Sequence, residues 1–227
     1  MPGLTDAFAR RALADTMSKR HDAYVHDARR IVDSTFRLIE RTGGVDPSLR
    51  DILAEANLST QAFYRLFRSK DELMLALLDD GRRQLVGYLE HRMDGALDSA
   101  AKVRAFVEGV MAQAQTPRAA SRTRPFAVNQ DRLSDAFPEE QQASVALLVD
   151  LVRDATGDAE GSEAAYRLTF ATLHDHLVRR TRPSVAEVEH LVAFVLAGLG
   201  LDGAPDRGSD GGAVGRRATQ RRGSSGG

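Results

Sequence analysis

The sequence predicts an all-α protein, and three observations carry that reading. Apolar residues recur at spacings of three and four along most of the chain, the period of a helix with one buried face. No stretch alternates β-branched and polar residues between turn signals, as a half-buried strand would. Two Ser-x-x-Glu patterns, Ser69–Glu72 and Ser184–Glu187, have the form of helix-starting capping boxes.

In chain order, the first clear helix is expected from about Tyr24 to Arg41, with a stripe of Ala28, Ile31, Val32, Phe36 and Ile39. Gly43-Gly44 ends it, because glycine accepts the left-handed conformation past a helix terminus. A short helix follows over about Ser48–Ala56, with Ser48 as its cap and Leu49, Ile52 and Leu53 inward. Asn57-Leu58-Ser59 forms a turn before a third helix, about Thr60–Phe67. Ser69 opens a fourth, running to about Met93. Beyond it, helices are expected over Ala101–Gln115, Glu139–Ala155, Ser162–Arg180 and Ser184 to about Leu199. Residues 116–138 are broken up by Pro117, Pro125 and Pro138, and 157–161 read as a loop. From Gly200 on, Gly, Ser, Asp and Arg dominate, a composition with little to bury and an expectation of disorder.

The chain of 227 residues is long enough for one domain or two small ones around a substantial core. It has no Cys, which excludes disulfides, thiol catalysis and thiolate metal sites. No apolar run reaches the roughly 20 residues a bilayer requires. The first twenty residues mix acids and bases and lack the apolar core of a secretory leader, so the cytoplasm is the expected location. Charge is nearly balanced, with 31 basic and 32 acidic residues. A generally basic coat is therefore absent, and nucleic-acid binding would need a local patch. One exists between Leu58 and Lys70, where Arg65, Arg68 and Lys70 have no acid among them.

Two short helices joined by a tight turn and followed by a capped helix form a helix-turn-helix arrangement. At about 100° per residue, Ala62, Phe63, Leu66 and Phe67 fall within an arc about 140° wide. Thr60, Gln61, Tyr64 and Arg65 fall in the opposite arc. A hydroxyl, a carboxamide, a phenol and a guanidinium are groups that hydrogen-bond phosphates and base edges. An ordinary amphipathic surface helix has the same pattern, so the two readings stand side by side on spacing alone.

Leu49-Arg50-Asp51-Ile52, Ala56-Asn57-Leu58-Ser59, Phe63-Tyr64-Arg65-Leu66-Phe67 and Ser69-Lys70-Asp71-Glu72-Leu73 together resemble the TetR-family DNA-binding domain over about residues 24–78. Three positions depart from that family's pattern. Asn57 stands in place of the turn glycine and tolerates the left-handed conformation. Gln61-Ala62 replaces a Gly-Thr, which adds a carboxamide able to read adenine. Pro47 replaces a Thr near the second helix start, leaving Ser48 to take its phosphate contact.

The resemblance implies roles. Tyr64 and Lys70 match phosphate-holding positions, and Thr60, Gln61 and Arg65 match positions that reach bases or phosphates. Arg68 is an added candidate. It implies a domain plan as well: an arm (1–22), a helix-turn-helix domain (23–78, with a linking helix starting within it over 69–93), a helical effector-binding and dimerisation domain (79–201) and a tail (202–227). The function implied is a transcriptional regulator, a repressor released by a small effector, acting as a homodimer on a palindromic operator in double-stranded DNA. The alternative is a helical adaptor that binds protein through the 59–70 face.

In the second half, the last helix is apolar around most of its circumference, as a helix covered on all sides must be. It is the expected dimer element, with Val188, Leu191, Val192 and Val195 joined by Tyr166, Phe170, Leu173 and Leu177 of the preceding helix. Phe106, Val110, Met111, Phe170 and His174 are candidates for an effector pocket, with the proline-broken stretch as a flexible wall or an irregular connection. No enzyme, cofactor or metal is expected. His174 and His176 point about 160° apart on a helix. Glu187-Val-Glu-His190 has the Glu-x-x-His spacing of di-iron bundles but no second copy.

Overall fold

The computed structural model describes the backbone of residues 3–202 and the side chains of residues 21–202. Among the described residues it is all helical: α1 Gly3–Thr42, α2 Leu49–Ala56, α3 Thr60–Leu66, α4 Lys70–Asp94, α5 Ser99–Gln115, α6 Pro117–Val128, α7 Gln130–Ala136, α8 Pro138–Thr156, α9 Ala159–Arg179 and α10 Val185–Gly198. None of these helices is long and apolar enough to cross a membrane.

Side-chain caps set most of the boundaries. Ser48, Ser59, Ser69, Asp98, Thr116, Asp158 and Ser184 each accept a hydrogen bond from a backbone N–H in the first turn of the helix they precede. Such a cap contributes about 1 kcal/mol, enough to decide where a short helix begins. Asn57 adopts φ 50°, as the turn after α2 requires, and its N–H returns to the carbonyls of Leu53 and Ala54.

Several elements differ from the sequence reading. The first helix begins at Gly3, so the expected arm continues into α1, and the expected tail beyond residue 202 lies outside the described residues. The prolines between 116 and 138 start helices instead of breaking them up. Pro117 and Pro138 occupy the first turns of α6 and α8, where the missing N–H has no helical partner to lose. Pro125 sits inside α6 and is buried. The loop at 157–161 shrinks because Asp158 caps Gly161 and starts α9 at Ala159. At Ser69 only half of the capping box forms. Its hydroxyl accepts from Glu72 N at 3.0 Å, but the Glu72 carboxylate accepts from Arg68 N instead. The Ser184–Glu187 box has both arms.

The helices enclose two apolar cores. One joins α1 to α4 through Ile31, Leu38, Ile52, Phe63, Leu73 and Leu77, and Leu133 of α7 is fully buried within it. The other gathers Leu89, Phe106, Val110, Leu148, Leu173 and Val192 from α4, α5, α8, α9 and α10. The linking helix α4 contributes to both cores.

Candidate nucleic-acid interface and interior cavity

The third helix is anchored by burial of Phe63, fully excluded from solvent, and by Phe67 just beyond its end. Their rings lie 5.6 Å apart. With this apolar side seated, Thr60, Gln61, Tyr64 and Arg65 are all exposed. Tyr64 is 57% exposed, its ring edge-on to Phe63 at 5.3 Å, so its hydroxyl end is free of the core. Arg68 is exposed and Lys70 half-buried at the start of α4.

Two of the cations on this face are already engaged. Arg65 Nη2 donates to Asp27 of α1 at 3.0 Å, and Lys70 Nζ to Asp46 at 2.7 Å. These pairs are solvent-accessible, and such pairs contribute only about 0–1 kcal/mol, so a phosphate can replace either carboxylate at small cost. Ser48 is exposed, but its hydroxyl is held within its own turn. It accepts from Asp51 N at 3.1 Å and donates to Asp51 Oδ2 at 2.7 Å. A phosphate contact there competes with a neighbouring carboxylate.

Residues of α1 that the sequence reading did not single out brace the motif. Arg30 Nη2 donates to the Ala56 carbonyl at 2.6 Å and to Asn57 O at 3.3 Å, tying off the end of α2. Tyr24 Oη reaches Leu66 O at 3.5 Å. No local spacing signals these partners, which lie 26 to 42 residues away in sequence.

The linking helix would be the only element touching both regions if the segment 116–138 were a mere connection. It is not. Arg132 of α7 pairs with Asp71, Asn129 Nδ2 donates to Val45 O at 3.0 Å, and Arg122 of α6 pairs with Glu40 at 3.3 Å. Phe126 meets Phe36 edge-on at 6.5 Å. The segment read as either a flexible pocket wall or an irregular connection is thus a second bridge.

A cavity of about 1100 Å³ opens between α4, α6, α8 and α9, with Phe36 of α1 at its wall. Of the expected pocket residues, Phe170 and His174 line it. Phe106, Val110 and Met111 do not, because they are packed solid in the core, at most 1% exposed. Tyr166 joins the wall instead, its ring 4.5 Å from that of Phe170. Arg82 and Gln141 also line the cavity, and sequence periodicity did not reveal either of them.

The residues expected to form a dimer face divide in the same way. Leu173, Leu177, Val188, Leu191, Val192 and Val195 are buried in the chain's own core, and Leu173 and Leu177 border the cavity together with Tyr166 and Phe170. The outer side of α9 and α10 carries other apolar groups, including Leu168, Val178, Val185 and Phe194, the last 64% exposed. An apolar circumference needs cover on both sides, and the described residues supply only the inner one. The Glu187 carboxylate is committed to Ser184 N at 2.7 Å, and His176 Nδ1 lies 2.8 Å from Thr181 Oγ1.

Residues 31–77 match the profile of bacterial regulatory proteins of the tetR family. The chain is 38% identical over 81 residues to the nicotine-responsive transcriptional repressor HdnoR of Paenarthrobacter nicotinovorans, over 36% of this chain and 40% of that protein. The match thus spans well under half of the relative. The fold is similar to that of a transcriptional regulator from Streptomyces coelicolor A3(2), with TM-score 0.60, 15% identity and cover of 74% of this chain and 97% of the other. It is also similar to reduced NemR of E. coli, with TM-score 0.57, 16% identity and cover of 74% and 95%.

Proposed function

We propose that this chain, whose residues 31–77 match the profile of the tetR family of bacterial regulatory proteins, is a sequence-specific DNA-binding transcriptional regulator whose DNA affinity is set by a small effector. The observation that carries the reading is the exposed quartet of Thr60, Gln61, Tyr64 and Arg65 on a helix held rigidly by Phe63, with Arg68 and Lys70 beside it. Gln61 is the base-reading group, and Tyr64 and Lys70 hold phosphates, with Lys70 at a helix start where backbone N–H groups favour an anion. The DNA-binding unit is 23–78, and 79–201 carries the effector cavity and the dimer contact. Two copies meet through the outer side of α9 and α10, around Phe194 and Val185, and present two recognition helices to a palindromic site. Repression and response to a small molecule are properties of the relative HdnoR, and the reading extends them to this chain.

The cavity is placed to act on the DNA end. Its wall includes Phe36 of α1, Gly81 and Arg82 of α4 and Phe126 of α6, all in elements that also reach the helix-turn-helix core. An effector that favours one relative placement of these helices shifts the equilibrium by its difference in affinity for the two states. DNA must then lower effector affinity by the same factor.

Selection of bound fragments from the source genome, followed by gel-shift titration against salt, tests the proposal. The expected result is a palindromic site whose affinity falls steeply with salt, as phosphate contacts require. Tyr64→Phe weakens binding to every site variant. Gln61→Ala changes preference at one base position by about 1–3 kcal/mol. Absence of salt-dependent binding, with a protein captured on the 59–70 face instead, would establish the adaptor reading.

A further inference from the structure

Two buried side-chain nitrogens, Arg82 Nη1 and Gln141 Nε2, have no hydrogen-bond partner among the described residues. Both residues line the same cavity, one from α4 and the other from α8. Gln141 is only 7% exposed, so the carboxamide is more than nine-tenths buried. Buried donors are almost always paired in a folded protein, and each one left unpaired is destabilising. Two such donors converging on one cavity are therefore a feature of the cavity and not of the core.

The surrounding charge adds a sign. Four arginines line the cavity, Arg82, Arg118, Arg122 and Arg167, against two carboxylates, Asp131 and Glu163. Glu163 is spent on Arg167 at 2.6 Å, and Arg118 and Arg122 share Glu40 at 3.8 and 3.3 Å. Asp79, one helical turn before Arg82, instead accepts from Ser144 Oγ at 2.9 Å. Arg82 makes no ion pair within 4.0 Å among the described residues. Burial pulls its guanidinium below the usual value, with Tyr166 and Asp79 acting in the opposite direction. Burial likewise raises the Tyr166 phenol, keeping it a neutral donor. Phe36, Leu78, Leu85, Phe126 and Phe170 give the wall an apolar side, and Gln84, Gln113, Thr123, Gln130 and His174 are among its polar groups.

We propose that the cavity binds an amphipathic organic oxyanion, whose carboxylate, sulfonate or phosphate oxygens take the free donors of Arg82 and Gln141 while its apolar body lies along the aromatic wall. This rests on the reading of the cavity as the effector site and names the chemical class of the effector. A planar guanidinium with a neighbouring amide donor suits an anion with two or more acceptor oxygens, and burial of the two donor atoms strengthens that charge-assisted contact.

Paired fluorescent probes test it: 8-anilinonaphthalene-1-sulfonate, and N-phenyl-1-naphthylamine, which has the same rings without the anion. The full chain binds the sulfonate at least about tenfold more tightly than the neutral amine, because only the anion satisfies a charged donor. Arg82→Gln and, separately, Gln141→Leu each weaken the sulfonate by roughly ten- to hundredfold and roughly tenfold, and leave the amine within about twofold. Arg82→Lys restores part of the sulfonate affinity, since it returns the charge without the fork. Thermal melts identify any variant that fails to fold, and the other variants then decide. Equal affinity of both probes for the wild type, or sulfonate binding unchanged in folded Arg82→Gln and Gln141→Leu, overturns the proposal. Gel shifts on the same preparations separate it from the broader reading. Wild type that binds DNA but shows no anion preference refutes the oxyanion site alone. Wild type that binds the sulfonate through Arg82 but no DNA refutes the regulator reading.

Discussion

At the amino-terminal end, Ile31, Ile52, Phe63, Leu73, Met74 and Leu77 close the interior completely, and Ser48, Ser59 and Ser69 cap the three helices that follow α1. Around α4, α6, α8 and α9, helices of up to 25 residues leave about 1100 Å³ open, and the two orphaned donors found among the described residues, Arg82 Nη1 and Gln141 Nε2, both sit in that wall. The first region spends its packing on holding an external pattern of four side chains in fixed positions. The second keeps space and unpaired polarity in the interior, at some cost in stability. Recognition of a fixed surface such as DNA calls for the first solution, and admission of a small molecule calls for the second.

The contrast can be broken most severely at Phe63. Phe63→Ala removes a wholly buried ring and is expected to cost about 3–5 kcal/mol in urea unfolding, with DNA binding lost. Val145→Ala, on the cavity wall, removes methyl groups that already face open space and costs less than about 1 kcal/mol. Comparable losses at the two positions would mean that the two interiors are packed alike.

The bridge between the regions gives the next effect. Leu133 of α7 is fully buried in the amino-terminal core, and Leu133→Ala is expected to cost about 2–4 kcal/mol. Because it loosens the seam between the cores, the urea transition monitored by two probes, one in each region, separates into two. Coincident transitions would show that α4 alone carries the connection.

Two helical glycines sharpen the comparison further. A Cβ at Gly109 would fall 2.5 Å from Leu89 Cδ2, where α5 packs on α4, so Gly109→Ala should cost about 1–3 kcal/mol through overpacking. A Cβ at Gly81 meets nothing within 4 Å. Gly81→Ala should therefore stabilise the linking helix by about 0.5–1 kcal/mol. The same sign at both sites in thermal unfolding would contradict the packing described.

The smallest expected effect is at Glu187. The hydrogen bonds from Ser184, backbone first, hold its carboxyl below the usual carboxylate range. A group lowered in the folded chain stabilises above its unfolded value and loses that contribution as pH falls through its folded value. Melting temperatures of the wild type and Glu187→Gln should therefore differ slightly at about pH 7, and the difference should shrink as pH falls below the usual carboxylate range. A difference that persists in acid would place the cause elsewhere than in the carboxylate.

Much of this was legible from local spacing. The turn at Asn57, the caps at Ser48 and Ser184 and the two faces of α3 each depend on residues within four positions of one another. Expectations failed where two local groups competed for one partner or where the partner was distant. The Ser69–Glu72 pattern forms only half a box because the Glu72 carboxylate goes back to Arg68 N. Leu191 and Val192 carry the apolar signal of an interface and are core residues, whereas Phe194 on the same helix stays exposed. Periodicity marks which side chains avoid water and not which surface covers them.

The sequence by itself determined the helical class, the order and caps of the helix-turn-helix and the chemistry on its exposed face, because helix period and capping are local properties of the chain. Only the tertiary structure decided that the proline-rich segment 116–138 forms two helices bridging the regions, that Phe106 and Met111 are core while Phe170 and His174 face a cavity, and that Arg82 and Gln141 meet in its wall. Arg82 and Gln141 lie 59 positions apart. Their convergence depends on how α4 and α8 pack, and packing is set by the fit of whole helix surfaces to one another.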